Sequence, residues 1–308
     1  MDDYLFYLTL IFSFLLIYFF QSLFIYKKKI DKVNHRSSHS ALATRSGGVS
    51  IFFTLFIISV FYYFQGIELF DYSLFIPFGI LFLLGLYDDL YLVDFKIKFF
   101  MQIIIAKILI DQGFVITSLH GLFGIFEIPW VLAQIITVIF FVIVVNAYNF
   151  IDGIDGLALT ETTKNLFFFI IVLPSKDELF FLCQFIIFII VPLYYFNYRK
   201  EKKVFLGDAG SLLLGGVNMV LILHILNPNT ILPNISLNKT LFALAIILYP
   251  LFDLLRVVYI RLKNNRSPFV ADKNHIHHWF IDRGFSHFIT TIIICSSGAI
   301  ILFGILYV

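Results

Sequence analysis

The stretch V-V-N-A-Y-N-F-I-D-G-I-D-G-L-A, at Val144–Ala158, follows an apolar run, Trp130–Val145, that contains no charged residue. It brings four polar side chains at a spacing of three residues: Asn146, Asn149, Asp152 and Asp155. Because each step of three residues on a helix turns back by about 60°, four such side chains would sweep about half of the circumference. Gly153 and Gly156 would make the backbone more flexible, so that the helix can end there and leave the polar side chains at an open surface.

Amides and carboxylates at the end of an apolar helix are costly in a membrane, and such groups usually have a function. Asn, Asp and Gly are also common turn residues, so a helix cap followed by a turn is the simpler alternative. Two carboxylates and two amides exceed what a turn needs. We therefore favour a binding or catalytic site at Val144–Ala158.

The composition indicates that lipid surrounds most of the chain. Of its 308 residues, 60% are hydrophobic and 40 are phenylalanine, which is more apolar surface than a soluble protein of this length can bury. The net charge of +2 argues against nucleic acid as the main partner. Cys183 and Cys295 fall inside apolar runs, so we expect neither a disulfide framework nor a thiol site. The first apolar run is too long for a cleavable signal, and we expect none.

The apolar runs predict an all-α, polytopic integral membrane protein with about ten transmembrane helices, in a single domain at residues 1–308. The first run would rise about 34 Å as a helix, enough for one crossing. An even number of spans places both termini on the same side. The predicted spans are Tyr4–Tyr26, Gly47–Phe64, Ser73–Tyr87, Phe99–Phe114, Trp130–Val145, Leu157–Leu173, Leu179–Tyr195, Leu212–Leu226, Leu241–Ile260 and Phe288–Val308.

The basic residues orient these spans. Seventeen of the 22 Lys and Arg residues fall in the loops after the first, third, seventh and ninth spans, whereas the opposite loops hold only Lys176 and Lys239. Cytoplasmic loops of membrane proteins carry the excess of positive charge. We therefore predict that these four loops and the polar end of the fifth span face the cytoplasm, and that both termini lie outside.

The polar stretches all fall on this predicted cytoplasmic side: Arg36–Gly48, Asp88–Asp89, Asn146–Asp155, Gly207–Ser211 and Asp272–His278. A transporter would need polar groups near the middle of the bilayer and often contains internal repeats. The sequence indicates neither polar groups near the middle of the bilayer nor internal repeats. An enzyme that works at the cytoplasmic surface is therefore favoured over a carrier.

Three further carboxylates are candidates for a metal or catalytic site. Asp88 and Asp89 close the third span, and adjacent carboxylates repel unless a cation or a metal lies beside them. Asp208 lies between two glycines in V-F-L-G-D-A-G-S, where it could hold a hard cation such as Mg²⁺ beside a phosphate. The alternatives are a solvated helix end for the Asp pair, and helix packing or an N-cap for Asp208.

Basic side chains near these carboxylates suit a phosphate-bearing ligand. They are Lys96, Lys98, Arg266, Lys273, His275, His277 and His278. The motif H-I-H-H also suggests zinc, but it lacks a suitable fourth ligand nearby, and a polyanion such as pyrophosphate is the better fit. Carboxylates for Mg²⁺ and cations for phosphates, where a lipid headgroup and a cytosolic nucleotide meet, predict phosphoryl transfer. Its catalysis is mostly positioning and charge neutralisation.

Taken in order, these motifs resemble those of the polyprenyl-phosphate N-acetylhexosamine-1-phosphate transferases (glycosyltransferase family 4), relatives of the phospho-N-acetylmuramoyl-pentapeptide transferases. Each motif alone is weak, whereas five in the same order are highly specific. The loop that carries the histidines resembles the N-acetylhexosamine branch. The motifs are I-D-K-V-N-H-R-S-S-H with Gly47–Gly48, D-D followed by K-I-K and Gln102, N-A-Y-N-F-I-D-G-I-D-G-L, V-F-L-G-D-A-G-S and D-K-N-H-I-H-H.

The resemblance implies transfer of an N-acetylhexosamine 1-phosphate from a UDP-sugar to undecaprenyl phosphate, with release of UMP and with Mg²⁺, or Mn²⁺ in its place, as cofactor. It implies a multi-pass enzyme of a bacterial plasma (inner) membrane, at the first membrane step of O-antigen (lipopolysaccharide) or other cell-surface polysaccharide synthesis. The implied partners are UDP-N-acetylhexosamine, undecaprenyl phosphate and membrane lipid. The resemblance does not decide whether the protein forms a homodimer. It also does not decide which sugar is transferred among GlcNAc, FucNAc, QuiNAc and similar sugars.

The resemblance also implies roles for single residues. Those implied in catalysis are Asp88, Asp89, Asp208, His277 and His278. Those implied as metal ligands are Asp208, Asp152 and Asn149. Those implied in substrate binding, with Phe205 stacking on uridine, are Arg36, His39, Lys96, Lys98, Asn146, Asn149, Gly153, Asp155, Phe205, Lys273 and His275.

The first cytoplasmic loop departs from the family pattern. Val33 and Thr44 stand where the family often has proline, which indicates a looser loop and bears on sugar specificity more than on the reaction. The alternative from another class is a polytopic carrier of lipid-linked sugars without catalysis. Release of UMP would distinguish the two, because only the transferase produces it.

Overall fold

The computed structural model describes residues 4–31, 42–232, 238–267 and 272–306. These residues form α-helices joined by short loops, and the prediction of an all-α polytopic membrane protein is confirmed. The helices are α1 (Tyr4–Tyr26), α2 (Gly47–Phe64), α3 (Phe75–Tyr91), α4 (Phe95–Asp111), α5 (Trp130–Ile151), α6 (Leu157–Val172), α7 (Glu178–Tyr198), α8 (Gly207–Leu226), α9 (Lys239–Ile246), α10 (Leu248–Lys263), α11 (Ile276–Ile281) and α12 (His287–Leu306). Two short strands are β1 (Ala43–Thr44) and β2 (Lys203–Val204), and two 3₁₀ turns are Tyr72–Leu74 and Leu122–Gly124.

The prediction of ten spans is confirmed only in part. By length and composition, seven of the described helices can cross a membrane, and the number is eight if the bent pair α9 and α10 counts as one span. The other two predicted spans are helical but short, because α4 has 17 residues and α6 has 16. Helices of this length rise only about 25 Å, less than the hydrocarbon thickness of a typical bilayer.

The ninth predicted span is broken. The apolar run Leu241–Ile260 predicted one helix, whereas α9 ends at Ile246 and α10 leaves it at an angle of 63°. Pro250 lies in the first turn of α10, where a helix tolerates a residue without a backbone N–H. The bend therefore coincides with a local backbone constraint, and it turns α10 towards the other polar motifs.

Helix α8 forms the centre of the bundle. All its residues except Asp208 and His224 are buried, in contacts with α2, α3, α5 and α6. A helix that is apolar on every side belongs in such a surrounded position. Its first turn, which carries Asp208, lies beside the end of α3 and the beginning of α2.

Glycines bring these helix backbones together. A Cβ atom on Gly85 of α3 would lie closer than 3.0 Å to the carbonyl oxygen of Asp208, and one on Gly48 of α2 would lie equally close to the backbone of Gly210. The two strands reinforce this contact, since β1 pairs in parallel with β2 and the N–H of Gly47 donates to the carbonyl of Phe205 over 3.0 Å. The backbone thus determines where α8 begins.

We expect the Gly85→Ala variant to lose thermal stability strongly, because its added methyl group would meet backbone atoms that cannot move aside. Gly79→Ala is the matched control on the same helix, since its Cβ would lie 3.7 Å from Phe52 Cζ, an ordinary contact. Melting of the detergent-purified proteins measures the difference. A wild-type melting temperature for Gly85→Ala would contradict the direct packing of α3 on α8.

Candidate active site

A cluster of charged side chains forms where α3 ends and where α4 and α8 begin. The Lys98 ammonium contacts Asp88 Oδ2 and lies 2.9 Å from Asp208 Oδ2. The side chains of Asp88 and Asp208 are 11% and 25% exposed, so the cluster is half-buried but accessible from the polar end of the bundle. Residues separated by up to 120 positions therefore converge on one ammonium group.

The neighbouring carboxylate, Asp89, has a different environment. Its side chain is 1% exposed, and it accepts hydrogen bonds from the backbone N–H groups of Asp208 (3.1 Å) and Ala209 (3.0 Å). It therefore caps the N-terminus of α8, where the helix dipole favours a negative charge. Asp89 holds the helix that carries Asp208, whereas Asp88 faces Lys98.

Arg45 completes the support of Asp89. Its Nη1 lies 3.4 Å from Asp89 Oδ1, and its Nη2 lies 3.0 Å from Asp31 Oδ1. Arg45 is not among the site residues predicted from the sequence. The available signal was its position directly before Ser46, Gly47 and Gly48, in a motif that already contributed to the resemblance.

The stretch Val144–Ala158, called the central stretch below, does not continue as a helix through all four of its polar residues. Helix α5 ends at Ile151, so only Asn146 and Asn149 are helical. The Asn149 amide donates to Ser211 Oγ over 2.9 Å and also hydrogen-bonds Asp208. Asp152 follows in the turn, where burial, and then repulsion from the nearby carboxylates of α8 and α3, raise the pKa of its carboxyl group well above the usual value.

Asp155 turns away from this cluster. Its carboxylate pairs with Lys203 of β2 and lies 3.0 Å from His287 Nδ1 at the start of α12. Burial alone would raise the pKa of Asp155, but hydrogen bonds from His287 and Lys203 hold it below its usual value. The four side chains that the spacing placed together therefore belong to two separate clusters.

An apolar cavity of about 220 Å³ opens beside the cluster. Asn146 lines it and donates to Gln102 Oε1 over 2.7 Å, which ties α5 to α4. Lys98 and Asn149 belong both to the cavity and to the charged cluster. The complete lining is Phe95, Lys98, Phe99, Val142, Ile143, Asn146, Asn149, Phe150, Leu254 and Val258.

The histidine motif packs against the turn after α5. A Cβ on Gly153 would lie 2.5 Å from His277 Nε2, so glycine is needed for this close approach. His277 is fully buried, and neither ring nitrogen has a hydrogen-bond partner among the described residues. Burial, and then the neighbouring histidines, lower the pKa of His277 to about 2, so its ring is neutral. His278 is half-buried and His275 is buried.

Asp253 of α10 holds this motif. It accepts the N–H of Ile276 over 2.8 Å and lies 2.7 Å from His275 Nδ1. The nearest potential ligand atoms of Asp253, His275 and His277 all lie within 4.8 Å of one another, so the structure supplies an acidic neighbour that the zinc argument from sequence lacked. Both Asp253 oxygens already accept these hydrogen bonds, and we interpret the group as a structural clamp.

The remaining predicted residues are peripheral or undescribed. Lys96 and Lys273 are exposed, and Phe205 is half-buried directly before α8. Arg36 and His39 lie outside the described residues. Asp253 and Arg256 are not among the site residues predicted from the sequence, although ionisable residues inside an apolar run are themselves a signal of function.

Comparison with known proteins identifies the family of the chain. The model of glycosyl transferase family 4 matches residues 72–226, about half of the chain. The chain is 30% identical over 315 residues to the undecaprenyl-phosphate alpha-N-acetylglucosaminyl 1-phosphate transferase of Salmonella typhi, with 96% of this chain and 82% of that protein covered. The Yersinia pestis protein of the same name is 29% identical over 294 residues, covering 88% of this chain and 74% of the relative.

A third relative gives a similar match. The probable undecaprenyl-phosphate N-acetylglucosaminyl 1-phosphate transferase of Bacillus subtilis (strain 168) is 29% identical over 276 residues, covering 88% of this chain and 75% of that protein. The matched family region contains the Asp pair, Lys98, the central stretch and Asp208. The resemblance drawn from the motifs is confirmed: the chain belongs to glycosyl transferase family 4.

Proposed function

We propose that this protein transfers an N-acetylhexosamine 1-phosphate from a UDP-sugar to undecaprenyl phosphate and releases UMP. The observation that carries the proposal is the apolar cavity that ends at Lys98 and Asn149, beside the carboxylates Asp88 and Asp208. The relatives named above support the same substrates. The product would be the first lipid-linked intermediate of O-antigen or another surface polysaccharide, made in a bacterial plasma membrane.

The cavity suits the lipid acceptor. Its walls are mostly Phe, Val, Ile and Leu side chains, which can receive the start of a prenyl chain, and its polar end presents the Lys98 ammonium. A phosphate group placed there would meet a cation that already bridges Asp88 and Asp208. Asn146 and Asn149 add amide groups at the same wall.

The UDP-sugar would bind on the other side of the carboxylates. We propose that the turn after α5 and Phe205 shape the uridine region, and that the histidine motif contacts the diphosphate or the sugar. His278 is the best placed of the histidines for contact, because it is only half-buried. The residues proposed for the donor are Arg36, His39, Lys96, Asn149, Asp152, Gly153, Asp155, Phe205, Lys273, His275, His277 and His278.

Mg²⁺ fits the charge balance of this site, with Mn²⁺ as the alternative. Four carboxylates gather at the start of α8, whereas Lys98 and Arg45 are the cations that contact them in the described residues. The Asp152 carboxyl group has no ion pair there, and burial, followed by repulsion from Asp208 and Asp89, raises its pKa. Asp208, Asp152 and Asn149 would hold the ion. When bound, it would neutralise charge on the donor diphosphate.

We favour a direct displacement by the lipid phosphate over a two-step route through an aspartyl phosphate on Asp88 or Asp89. A phosphate monoester has a second pKa near 6, so roughly nine-tenths of the acceptor is already a dianion at pH 7 and needs no general base. Its oxygen would form a bond to the sugar-bearing phosphorus while the bond to the UMP oxygen breaks, and UMP would leave with that electron pair. Lys98 would align the acceptor, Asp88 would hold Lys98, and Asp89 would hold α8.

Purified protein incubated with UDP-GlcNAc, Mg²⁺ and undecaprenyl phosphate tests the proposal. A transferase releases UMP and forms a lipid-linked sugar diphosphate only when all three are present. A carrier of lipid-linked sugars would release none. UDP-FucNAc and UDP-QuiNAc in parallel reactions identify the sugar, and UMP release without lipid would instead indicate a UDP-sugar hydrolase.

We also propose that the chain is one domain of ten spans, with both termini outside and the charged cluster facing the cytoplasm. In intact cells, single cysteines at Lys202 and Asn274 are expected to resist a membrane-impermeant thiol reagent, and one at Asn229 is expected to react. The native cysteines, Cys183 and Cys295, are buried and stay silent. The reverse labelling would place the cluster away from cytosolic UDP-sugars and contradict the proposal.

A further inference from the structure

Helix α10 contacts the segment that carries the histidines, residues 272–278, through three of its residues. Asp253 binds His275 and the N–H of Ile276, as described above. One turn later, Arg256 Nη1 donates to the carbonyl of Asn274. We refer to residues 272–278 as the histidine loop.

A two-point ion pair holds the beginning of the same loop. Arg261 Nε lies 2.9 Å from Asp272 Oδ2, and its Nη2 lies 3.1 Å from Asp272 Oδ1. Burial alone would raise the pKa of Asp272, but hydrogen bonds from Arg261 and Asn274 hold it well below its usual value. Because Arg261 is 2% exposed, water competes little for this pair.

The same helix lines the apolar cavity. Leu254 and Val258 of α10 form part of its wall. Phe150 of α5 connects the two features, because its ring lines the cavity, lies 5.5 Å from the Arg261 guanidinium and lies 5.9 Å from the His275 ring. The side of α10 that holds the histidine loop is therefore adjacent to the side that would contact the acceptor.

We infer that Asp253, supported by Arg256 and Arg261, is a positioning residue that sets the histidine loop against the donor, so that α10 links the donor site to the acceptor cavity. This inference rests on the proposed function. Asp253 is fully buried and is not among the residues proposed to contact a substrate, so it acts through His275 and the backbone of the loop.

The Asp253→Asn substitution isolates this role. Asparagine keeps the size of the side chain, but its amide nitrogen cannot accept a hydrogen bond from His275 Nδ1, so that contact is lost or the ring must change its tautomer. A displacement of about 1 Å of groups that align a substrate can lower turnover about 100-fold. We expect kcat to fall about 100-fold and KM for the UDP-sugar to rise, while KM for undecaprenyl phosphate changes less than about twofold.

A double-mutant cycle with His278→Ala tests whether Asp253 acts through the loop. If it does, the double variant is barely slower than His278→Ala alone, because the loop has already lost its contact with the donor. Effects that multiply would overturn the inference. Lys263→Gln, an exposed position on the same helix, is the control and is expected to stay within about twofold of wild type.

Hydrogen exchange supplies a readout that does not depend on the reaction. In Asp253→Asn we expect faster exchange at residues 272–278, with α8 and α12 unchanged; wild-type exchange in the loop would overturn the inference. Arg261→Lys, which loses the two-point geometry, replaces Asp253→Asn if that variant does not fold. If the wild-type protein releases no UMP, but exchange at residues 272–278 is faster in Asp253→Asn, the proposed function is wrong. The role of Asp253 in holding the histidine loop is then still supported.

Discussion

Replacing Asp208 with asparagine is expected to lower kcat by several orders of magnitude without preventing membrane insertion. The substitution keeps the size of the side chain and removes its charge. Asp208 contacts Lys98 and Asn149 and stands at the start of the central helix, where a metal-bound diphosphate would be held. Loss of a carboxylate that binds such an ion removes charge neutralisation from the transition state.

UMP release by purified Asp208→Asn measures this loss, and melting in detergent shows whether α8 is intact. Asp94→Asn is the matched control, because Asp94 caps α4 at the same end of the bundle and asparagine caps a helix equally well. Near-wild-type turnover of Asp208→Asn would instead leave Asp208 as a packing or capping residue of α8.

The second large effect is expected for Lys98→Gln, with a fall in kcat of about a thousandfold. Without the ammonium group, Asp88 and Asp208 lose their shared partner, and the acceptor phosphate that we propose for the cavity would lose its cation. Removing one donor that stabilises developing charge in an active site typically lowers kcat about 100- to 1,000-fold.

Lys107→Gln is the control for Lys98→Gln, since both lysines lie on α4 and pair with a carboxylate, but Lys107 is 54% exposed and has no proposed role at the site. A surface cation contributes about 1 kcal/mol or less, so a loss of up to about fivefold is expected. Equal losses for the two variants would contradict the special position of Lys98. Added Mg²⁺ should not rescue Lys98→Gln, because the ion cannot replace an ammonium group anchored on α4.

The alternative of a carrier has one structural feature in its favour. Glu161 and Lys164 of α6 form an ion pair at 2.6 Å inside the bundle, away from the charged cluster. Glu161 is fully buried, and a Cβ on Gly298 of α12 would lie 2.9 Å from the Lys164 ammonium. A pair enclosed in this way is suited to holding α6 against α12, whereas a transport site needs access to water.

The membrane class and the family could be predicted from the sequence. Hydropathy is a local property, so each of the ten apolar runs contains a helix, although α4 and α6 are short and the ninth run is bent. Motif identity is local as well: V-F-L-G-D-A-G-S and the central stretch keep their residues and their order however the helices pack. These features were sufficient for the resemblance to family 4.

The sequence also grouped the polar stretches correctly at one end of the helices, since alternate spans must return to the same side. It did not determine where each helix stops. Spacing alone placed Asn146, Asn149, Asp152 and Asp155 on one helix, but α5 ends before the two carboxylates. Helix termini depend on caps and tertiary contacts that a periodic pattern does not contain.

What only the tertiary structure decided is the partner of each charged group. Asp88 and Asp89 are adjacent in sequence, yet one faces Lys98 and the other caps α8, because consecutive helical side chains point about 100° apart. Asp253 reaches the histidine loop because α10 bends away from α9. Side-chain direction and helix packing arise from contacts between distant segments. The sequence therefore determined which chemical groups are present at the site, and the tertiary structure determined which of them are in contact.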